Sequence, residues 1–297
     1  MTLAELIERT AARFAAAPLH YGHGTDNARD EAAWLVLRSA GLAFDTDLTR
    51  PADKPHAERV EALAARRIGE RVPVAYLLKE AWLAGQPFYV DERVIVPRSH
   101  IAELLHEPFL TRRSVRRVLD LCTGSGCLAI LAARAFPAGL VDAVDISPPP
   151  LAVARKNVAR YRLGRRVRLA RSDLFSSVGA ARYDLILSNP PYVSAPAMAA
   201  LPAEYRHEPR VALSGGADGL DFVARILAAA PAYLEAQGLL VCEVGNAQAA
   251  VRRRFAHLGL GWPKPEVFSY EPARTERGRQ TRASRAAGRG SGDPRGS

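Results

Sequence analysis

The stretch Leu185–Ser194 reads LILSNPPYVS: an apolar run suited to a buried strand, then an amide, two prolines and a phenol ring. Proline fixes φ and has no N–H, so a strand that stops on Pro190 and Pro191 leaves carbonyl oxygens without competing donors beside them. Asn189 adds a side-chain acceptor, and Tyr192 a ring that can lie against a flat group. Such a set suits methyl transfer to a planar amide or an aromatic amine. The lone pair of that nitrogen is delocalised, which makes it a poor nucleophile. Catalysis must then come from holding it in line with the donor methyl and from acceptors for its two hydrogens. Asn189 can take one N–H through its side-chain oxygen and the Pro190 carbonyl the other. A nicotinamide enzyme has no use for these groups.

A second cluster, VLDLCTGSGCLAI, places Asp120 in a strand and Gly124 and Gly126 in the turn before a helix, where a ligand can approach backbone free of Cβ atoms. Gly124-x-Gly126-x-x-Ala129 satisfies the dinucleotide fingerprint, and Asp145 follows about 20 residues later, placed to accept hydrogen bonds from ribose hydroxyls. NAD and S-adenosylmethionine are both open at this point. Asp120 and Asp145 together favour a nucleoside ligand. Asp173, in RSDLF, ends the next strand in the same row; contact with an adenine amino group and a plain strand-end turn both fit it.

Other chemistries are not supported. No Ser/His/Asp or Cys/His arrangement occurs, and no metal-ligand spacing, so no metal is expected. His20 and His23, on either side of Gly22, read as loop polarity. Cys122, Cys127 and Cys242 lie in or beside apolar segments and read as small buried hydrophobes.

These residues need a frame. From Arg116 onward short apolar runs alternate with helical patterns, which predicts a parallel sheet with helices on both faces and ligands at the carboxyl ends of its strands. Before about residue 70, Leu3, Leu6, Ile7, Ala11 and Phe14 recur at helical spacing, as do Ala33, Trp34 and Leu37, with Thr25 or Asp26 as a candidate N-cap. Between Ala75 and Pro97, PFYVDERVIVP reads as two short strands around an Asp91-Glu92-Arg93 turn. Past Gly261 the periodicity fades into Arg, Gly, Ser and Pro, and disorder is expected after about Pro272.

The length of 297 residues fits two folding units, and 48% hydrophobic with 24% charged residues fits a soluble globular protein. With no apolar run of bilayer-spanning length and acids within the amphipathic N-terminus, the chain reads as cytoplasmic, with no membrane partner. Of the net charge of +10, the stretch from Glu271 to Ser297 holds seven Arg against three acids. The milder bias elsewhere suits a ribosome or assembly-intermediate contact, or simple Arg-rich composition.

Taken together, LDLCTGSG, VDIS, SDLF and SNPPY, preceded by FYVDERVIVPRS and followed by YRHEPRVALSGGADGLDF, resemble the protein-glutamine N5-methyltransferases over roughly Tyr21 to Leu260. The resemblance implies a Rossmann-like α/β fold in which an S-adenosylmethionine-dependent sheet follows a small helical N-terminal domain and a β-hairpin linker. Its parts would be a helical substrate-recognition domain over 1–74, the linker over 75–99, the methyltransferase domain over 100–262 and an atypical, disordered tail over 263–297. By the same resemblance Asp120, Thr123, Gly124, Ser125 and Gly126 form the cofactor turn, Asp145 holds the ribose, Asp173 lies by the adenine, and Asn189 also touches cofactor. Asn189, Pro190, Pro191 and Tyr192 would serve the glutamine, and Arg98, Glu208 and Pro209 would shape the substrate mouth. YGHGTDNARDEA, AWLAGQPFYVDERVIVPRSHIAELL and MAALPAEYRHEP are similar to the branch acting on ribosomal large-subunit protein L-three more than to the release-factor branch.

One feature departs from the family. The pair of strands that normally closes the sheet is expected to be missing here, replaced by the Arg-rich tail, which would uncover an unpaired strand edge. Two other substrates compete with the ribosomal protein: a release-factor glutamine, and an exocyclic amine of nucleic acid (adenine N6 or guanine N2), whose enzymes use similar Pro-Pro loops. The second lacks support from an added base-recognition domain or aromatic-plus-basic interleaving.

Overall fold

The computed structural model describes residues 1–272 of the chain, so the expectation of disorder beyond Pro272 falls outside the described residues. The chain opens with four helices: α1 (Leu3–Ala15), α2 (Ala28–Ser39), α3 (Lys54–Gly69) and α4 (Val74–Leu78). A capping box starts α1, with the Glu5 N–H donating to the Thr2 hydroxyl and the Thr2 N–H to the Glu5 carboxylate. Leu3, Leu6, Ile7, Ala11 and Phe14 are all buried, as their spacing requires. The N-cap of α2 is Asn27 rather than Thr25 or Asp26; its side-chain oxygen accepts the Asp30 N–H at 2.9 Å. Thr25 instead turns its hydroxyl toward Glu31.

The linker hairpin also lies earlier than expected. It pairs β1 (Ala81–Leu83) with β2 (Gln86–Phe88), Trp82 opposite Pro87. Ala84 and Gly85 turn the chain with φ of 48° and 69°, the two positive values of the tight hairpin turn that matches strand twist. The segment Asp91–Arg93 joins no strands. The Asp91 carboxylate takes the Tyr89 hydroxyl at 2.9 Å and the Arg93 Nε–H at 2.8 Å, which closes the turn on itself. Val90, Val94 and Val96 on either side are buried against the helices.

After α5 (Ile101–Leu104) and α6 (Pro108–Thr111) comes the main sheet: β3 (Arg117–Leu121), α7 (Cys127–Ala135), β4 (Leu140–Asp145), α8 (Pro148–Arg160), β5 (Val167–Arg171) and β6 (Tyr183–Ser188). It continues through α9 (Ala195–Ala200), α10 (Asp221–Tyr233), β7 (Leu234–Glu243), α11 (Gln248–Arg254), β8 (Gly261–Lys264) and β9 (Val267–Tyr270). The strand order is β5-β4-β3-β6-β7-β9-β8, parallel from β5 to β7. Side chains alternate across it. Val118, Leu185, Leu187 and Val241 join the core under α5 and α7, while Leu119, Leu121, Ile186 and Leu240 join the core on the opposite face, with Val223 and Ile226 of α10. The chain leaves β3 toward β4 on one side and returns to β6 on the other, so a crevice opens above the carboxyl ends of β3 and β6.

The sheet does close. β9 pairs antiparallel with β7, Val267 opposite Glu243 and Phe268 opposite Cys242, and β8 covers the outside. The expected loss of this pair is therefore corrected. The strands are four residues each, with Pro263 inside β8 and Pro265 in the turn between them, which hid them. Pro263 sits on the outer edge strand, where a missing N–H breaks no ladder. Val267 and Phe268 are wholly buried. Among the described residues no helix is long and apolar enough to cross a membrane.

Because Phe268 is wholly buried in the core that also takes in β7, α10 and α11, Phe268→Ala is expected to cost about 3–5 kcal/mol in urea denaturation. A change within about 0.5 kcal/mol, normal for a surface site, would show that β9 is not part of the folded sheet.

Candidate active site

Most of the glycine-turn residues brace the turn from behind. Asp120 is completely buried; its Oδ2 accepts the Thr123 hydroxyl at 2.6 Å and the Ala129 N–H at 3.1 Å, while Oδ1 has no partner. The Thr123 N–H reaches the Val144 carbonyl of β4, and the Ser125 carbonyl accepts from Asn157 of α8. Gly126 takes φ 79°, and a Cβ there would stand 3.1 Å from the Ala154 Cβ, so glycine lets α7 start hard against α8. Of this group Gly124 faces a cavity, of about 240 Å³, together with Asp145, Ser147, Asp173 and Asn189.

The Asp145 oxygens take the N–H groups of Gly124 and Ser147, each at 3.0 Å, and burial raises its pKa. Asp173 is half-exposed and paired with Arg225 at 2.7 Å. Two non-glycine residues lining this cavity, Cys122 and Leu174, have positive φ, 58° and 48°. Held backbone strain of this kind gathers at functional sites, and no composition or spacing signal reveals it. Cys122 thus borders the cavity while also packing against the core, and Cys242 is buried in it; burial pushes both thiols up, and neither is in a disulfide among the described residues.

On the other side of Asn189 lies a larger cavity of about 600 Å³, lined among others by Pro190, Tyr192, Arg98, Tyr205 and Glu243. Asn189 is the polar residue common to both cavities, flanked by Ile95 and Ala212, and Pro191 faces the smaller one. The Tyr192 ring packs where Gly245 has no side chain; a Cβ at 245 would come within 2.5 Å of it. Downstream, the Val193 N–H donates to Leu213 and the Gly215 N–H to Val193, both at 2.9 Å, so the segment VALSGG clamps the loop.

Glu243, at the end of β7, was not singled out by sequence reasoning, although an acid closing the apolar run LLVCE is a visible signal. It is 2% exposed, and burial raises its pKa. Its Oε2 accepts the Ser99 hydroxyl at 2.6 Å and the His100 N–H at 3.1 Å, and its Oε1 lies 3.5 Å from the Tyr192 hydroxyl.

The three expected mouth residues separate. Arg98 lines the larger cavity and grips Glu208 through two 2.6 Å bonds; Glu208, buried and also accepting the Val96 N–H, lines neither cavity. Pro209 lines the smaller cavity. His23 lies in the loop before α2 but is buried there, 3.7 Å from Glu208 and with its ring centroid 4.6 Å from that of Tyr205, and burial lowers its pKa to about 4.

The smaller cavity fits a nucleoside-bearing cofactor: Asp145 keeps a free lone pair on each oxygen beside Gly124, and Leu174, Pro150 and Phe222 give it apolar walls. Strand order, crevice and adjoining cavities define a Rossmann-like methyltransferase. The family model for the methyltransferase small domain matches residues 101–203. Three proteins named ribosomal protein uL3 glutamine methyltransferase are similar over nearly the whole chain. That of Bordetella pertussis is 52% identical, over 88% of this chain and 90% of its own; that of Burkholderia pseudomallei is 50% identical, with the same coverage. That of Bradyrhizobium diazoefficiens is 46% identical, over 88% of this chain and 86% of its own. The chain belongs to the ribosomal protein uL3 glutamine methyltransferase family.

Burial pushes the Asp120 carboxyl up to about 7, against the Thr123 and Ala129 hydrogen bonds that favour its charged form. An unfolded Asp titrates near ~3.9. Between about pH 4 and 7 the folded chain therefore keeps a proton that the unfolded chain releases, and stability falls as pH rises. Urea midpoints at pH 5 and pH 8 should drop more for the wild type than for Asp120→Asn; equal drops would place the Asp120 pKa near its ordinary value.

Proposed function

We propose that this protein works in the cytoplasm and transfers a methyl group from S-adenosylmethionine to the side-chain amide nitrogen of a glutamine in ribosomal protein uL3. The observation that carries the proposal is Asn189, standing where a cavity suited to a nucleoside meets a larger one open to a protein side chain. Identity of 52% and 50% to relatives named for uL3 supports that substrate.

When bound, S-adenosylmethionine supplies an electrophilic methyl group on sulfur. Asp145 would hold the ribose hydroxyls with its spare lone pairs, Asp173 would lie by the adenine, and Gly124 would let the backbone close on the ligand. Asp120, Thr123, Ser125 and Gly126 keep that turn in shape. On the substrate side, Asn189 Oδ1 and the Pro190 carbonyl accept the two N–H bonds of the glutamine amide, and the Tyr192 ring lies against its plane. Pro191 stiffens the loop. The acceptors turn the lone pair toward the smaller cavity, and orientation does the work that a strong nucleophile would do elsewhere. The methylated nitrogen is a much stronger acid than the starting amide, so it releases its extra proton to solvent without a dedicated base. Arg98 and Tyr205 form the mouth, with Glu208 holding Arg98 and Pro209 set toward the cofactor side, and residues 1–74 form the recognition wall.

Mass spectrometry of uL3 after incubation with enzyme and S-adenosylmethionine should find one added methyl on a glutamine. Asn189→Ala should keep cofactor affinity and lower the transfer rate by about 10²–10³-fold. Methyl label in RNA alone, or on a release factor but not uL3, would overturn the substrate. Lost cofactor binding with normal transfer per bound cofactor would overturn the role of Asn189.

A further inference from the structure

Between Arg155 and Arg171 the chain reads RKNVARYRLGRRVRLAR, with no acidic residue. The stretch covers the second half of α8, the turn after it and the edge strand β5. Asn157 and Val158 are buried, and Arg155, Lys156, Arg160, Arg162, Arg165, Arg168 and Arg171 are exposed. Of these exposed cations, Arg168 has a carboxylate at ion-pair distance among the described residues, Asp142 at 2.8 Å. Lys156 lies over the Tyr89 ring and Arg171 donates to the Ile146 carbonyl. Arg134, on the last turn of the neighbouring α7, extends the surface.

Two ordinary explanations cover only part of this. Charges on an edge strand prevent pairing with other chains, which accounts for Arg168 and Arg171 but not for the residues of α8 and the turn. Arg166 is a scaffold residue, donating to the carbonyls of Ala133, Phe136 and Gly139 at the end of α7. An ordinary solvated helix face carries both signs, as this molecule shows elsewhere. On α3, Lys54 and Arg66 meet Glu58 and Glu70, and Arg9 and Arg29 of the first two helices meet Glu61 and Glu8. Among the described residues no carboxylate stands at ion-pair distance from Arg155, Lys156 or Arg160 of α8.

We propose that this face binds the phosphate backbone of RNA. Unpaired guanidinium groups match phosphate geometry, and backbone contacts of this kind need no base recognition. α8 spends its apolar side on the protein core, with Leu151, Val153, Ala154 and Val158 all buried, so the face offers charge without the apolar wedge of a membrane-lying helix. The inference goes beyond the proposed methylation and does not depend on it. If both hold, the enzyme meets its ribosomal substrate in the company of RNA.

The test uses the full chain and a fluorescein-labelled single-stranded RNA of mixed sequence, titrated by anisotropy between 50 and 200 mM salt. The triple variant Arg155→Glu, Arg162→Glu, Arg165→Glu should bind at least about tenfold more weakly at 100 mM salt. Its plot of log affinity against log salt should be shallower by about 2, three lost contacts at ~0.7 each. The corresponding triple Lys variant should retain binding. Both should melt like the wild type and methylate free uL3 at the wild-type rate, which separates this idea from the catalytic one. The Arg-rich residues after Pro272 are common to all three proteins, so the comparison holds their contribution fixed. Unchanged affinity and slope in the Glu variant would overturn the proposal. So would wild-type binding to phosphatidylglycerol vesicles with none to RNA.

Discussion

A carboxylate taken out of water must find positive or N–H partners, and around this crevice that requirement fixes the architecture. Glu31, Glu204, Glu208 and Glu243 are each 2% exposed or less. Arg67, itself buried, joins Glu31 of the helical region to Glu204 of the segment after the Asn189–Tyr192 loop, and Arg71 also reaches Glu204. Arg98 and the Val96 N–H hold Glu208, and Ser99 with the His100 N–H holds Glu243. Every one of these partners comes from residues 67–100, and three of the four carboxylates come from the sheet side. The helical region and linker are therefore bolted to the walls of the crevice. Breaking one partnership would strand a charge rather than loosen a surface contact.

The same bolts explain why a proline-rich loop can keep one shape. Pro190 and Pro191 remove backbone donors, so little within the loop holds it in place. Its position is imposed from outside: by Leu213 and Gly215 of the clamping segment, which hold Val193, by Gly245 under the Tyr192 ring, and by Glu243 near the Tyr192 hydroxyl. The proposed chemistry, which rests on orientation, requires this external stiffness, because acceptors are useful there only if they do not follow the substrate's motion.

Much of this was legible in the sequence, for identifiable reasons. β3, β4, β5 and β6 are short runs with apolar residues at their core positions, each ending in, or followed within a few residues by, Asp, Ser or Gly, a pattern set by local sterics and burial, and all four lie where the runs are. The Asn189 loop and the glycine turn could be read because proline and glycine act through their own backbone. What could not be read depends on distant residues. β8 and β9 are too short to show periodicity, with Pro263 inside the first and Pro265 just after it, and they exist because β7 presents an open edge to Val267 and Phe268. Polarity points to a turn at Asp91–Arg93, whereas the hairpin turns at Ala84–Gly85, where glycine is the better signal. His23 is a loop residue, as it reads, but its burial comes from Glu208 and Tyr205, far along the chain.

Burial also decides how labour is divided along the row of strand-end acids. Asp120 is sealed behind the turn, where the desolvated carboxyl holds its proton more tightly and can only brace Thr123 and Ala129. Asp145, one strand over, stands at the cavity with spare lone pairs, and Asp173, further out, is half-exposed and tied to Arg225. The three look equivalent as letters at the ends of neighbouring strands. Depth alone separates a group that shapes the backbone from one able to meet a ligand, so the motif specifies a gradient from scaffold to contact. Asn189, just past the end of β6, continues it at the point where the two cavities meet.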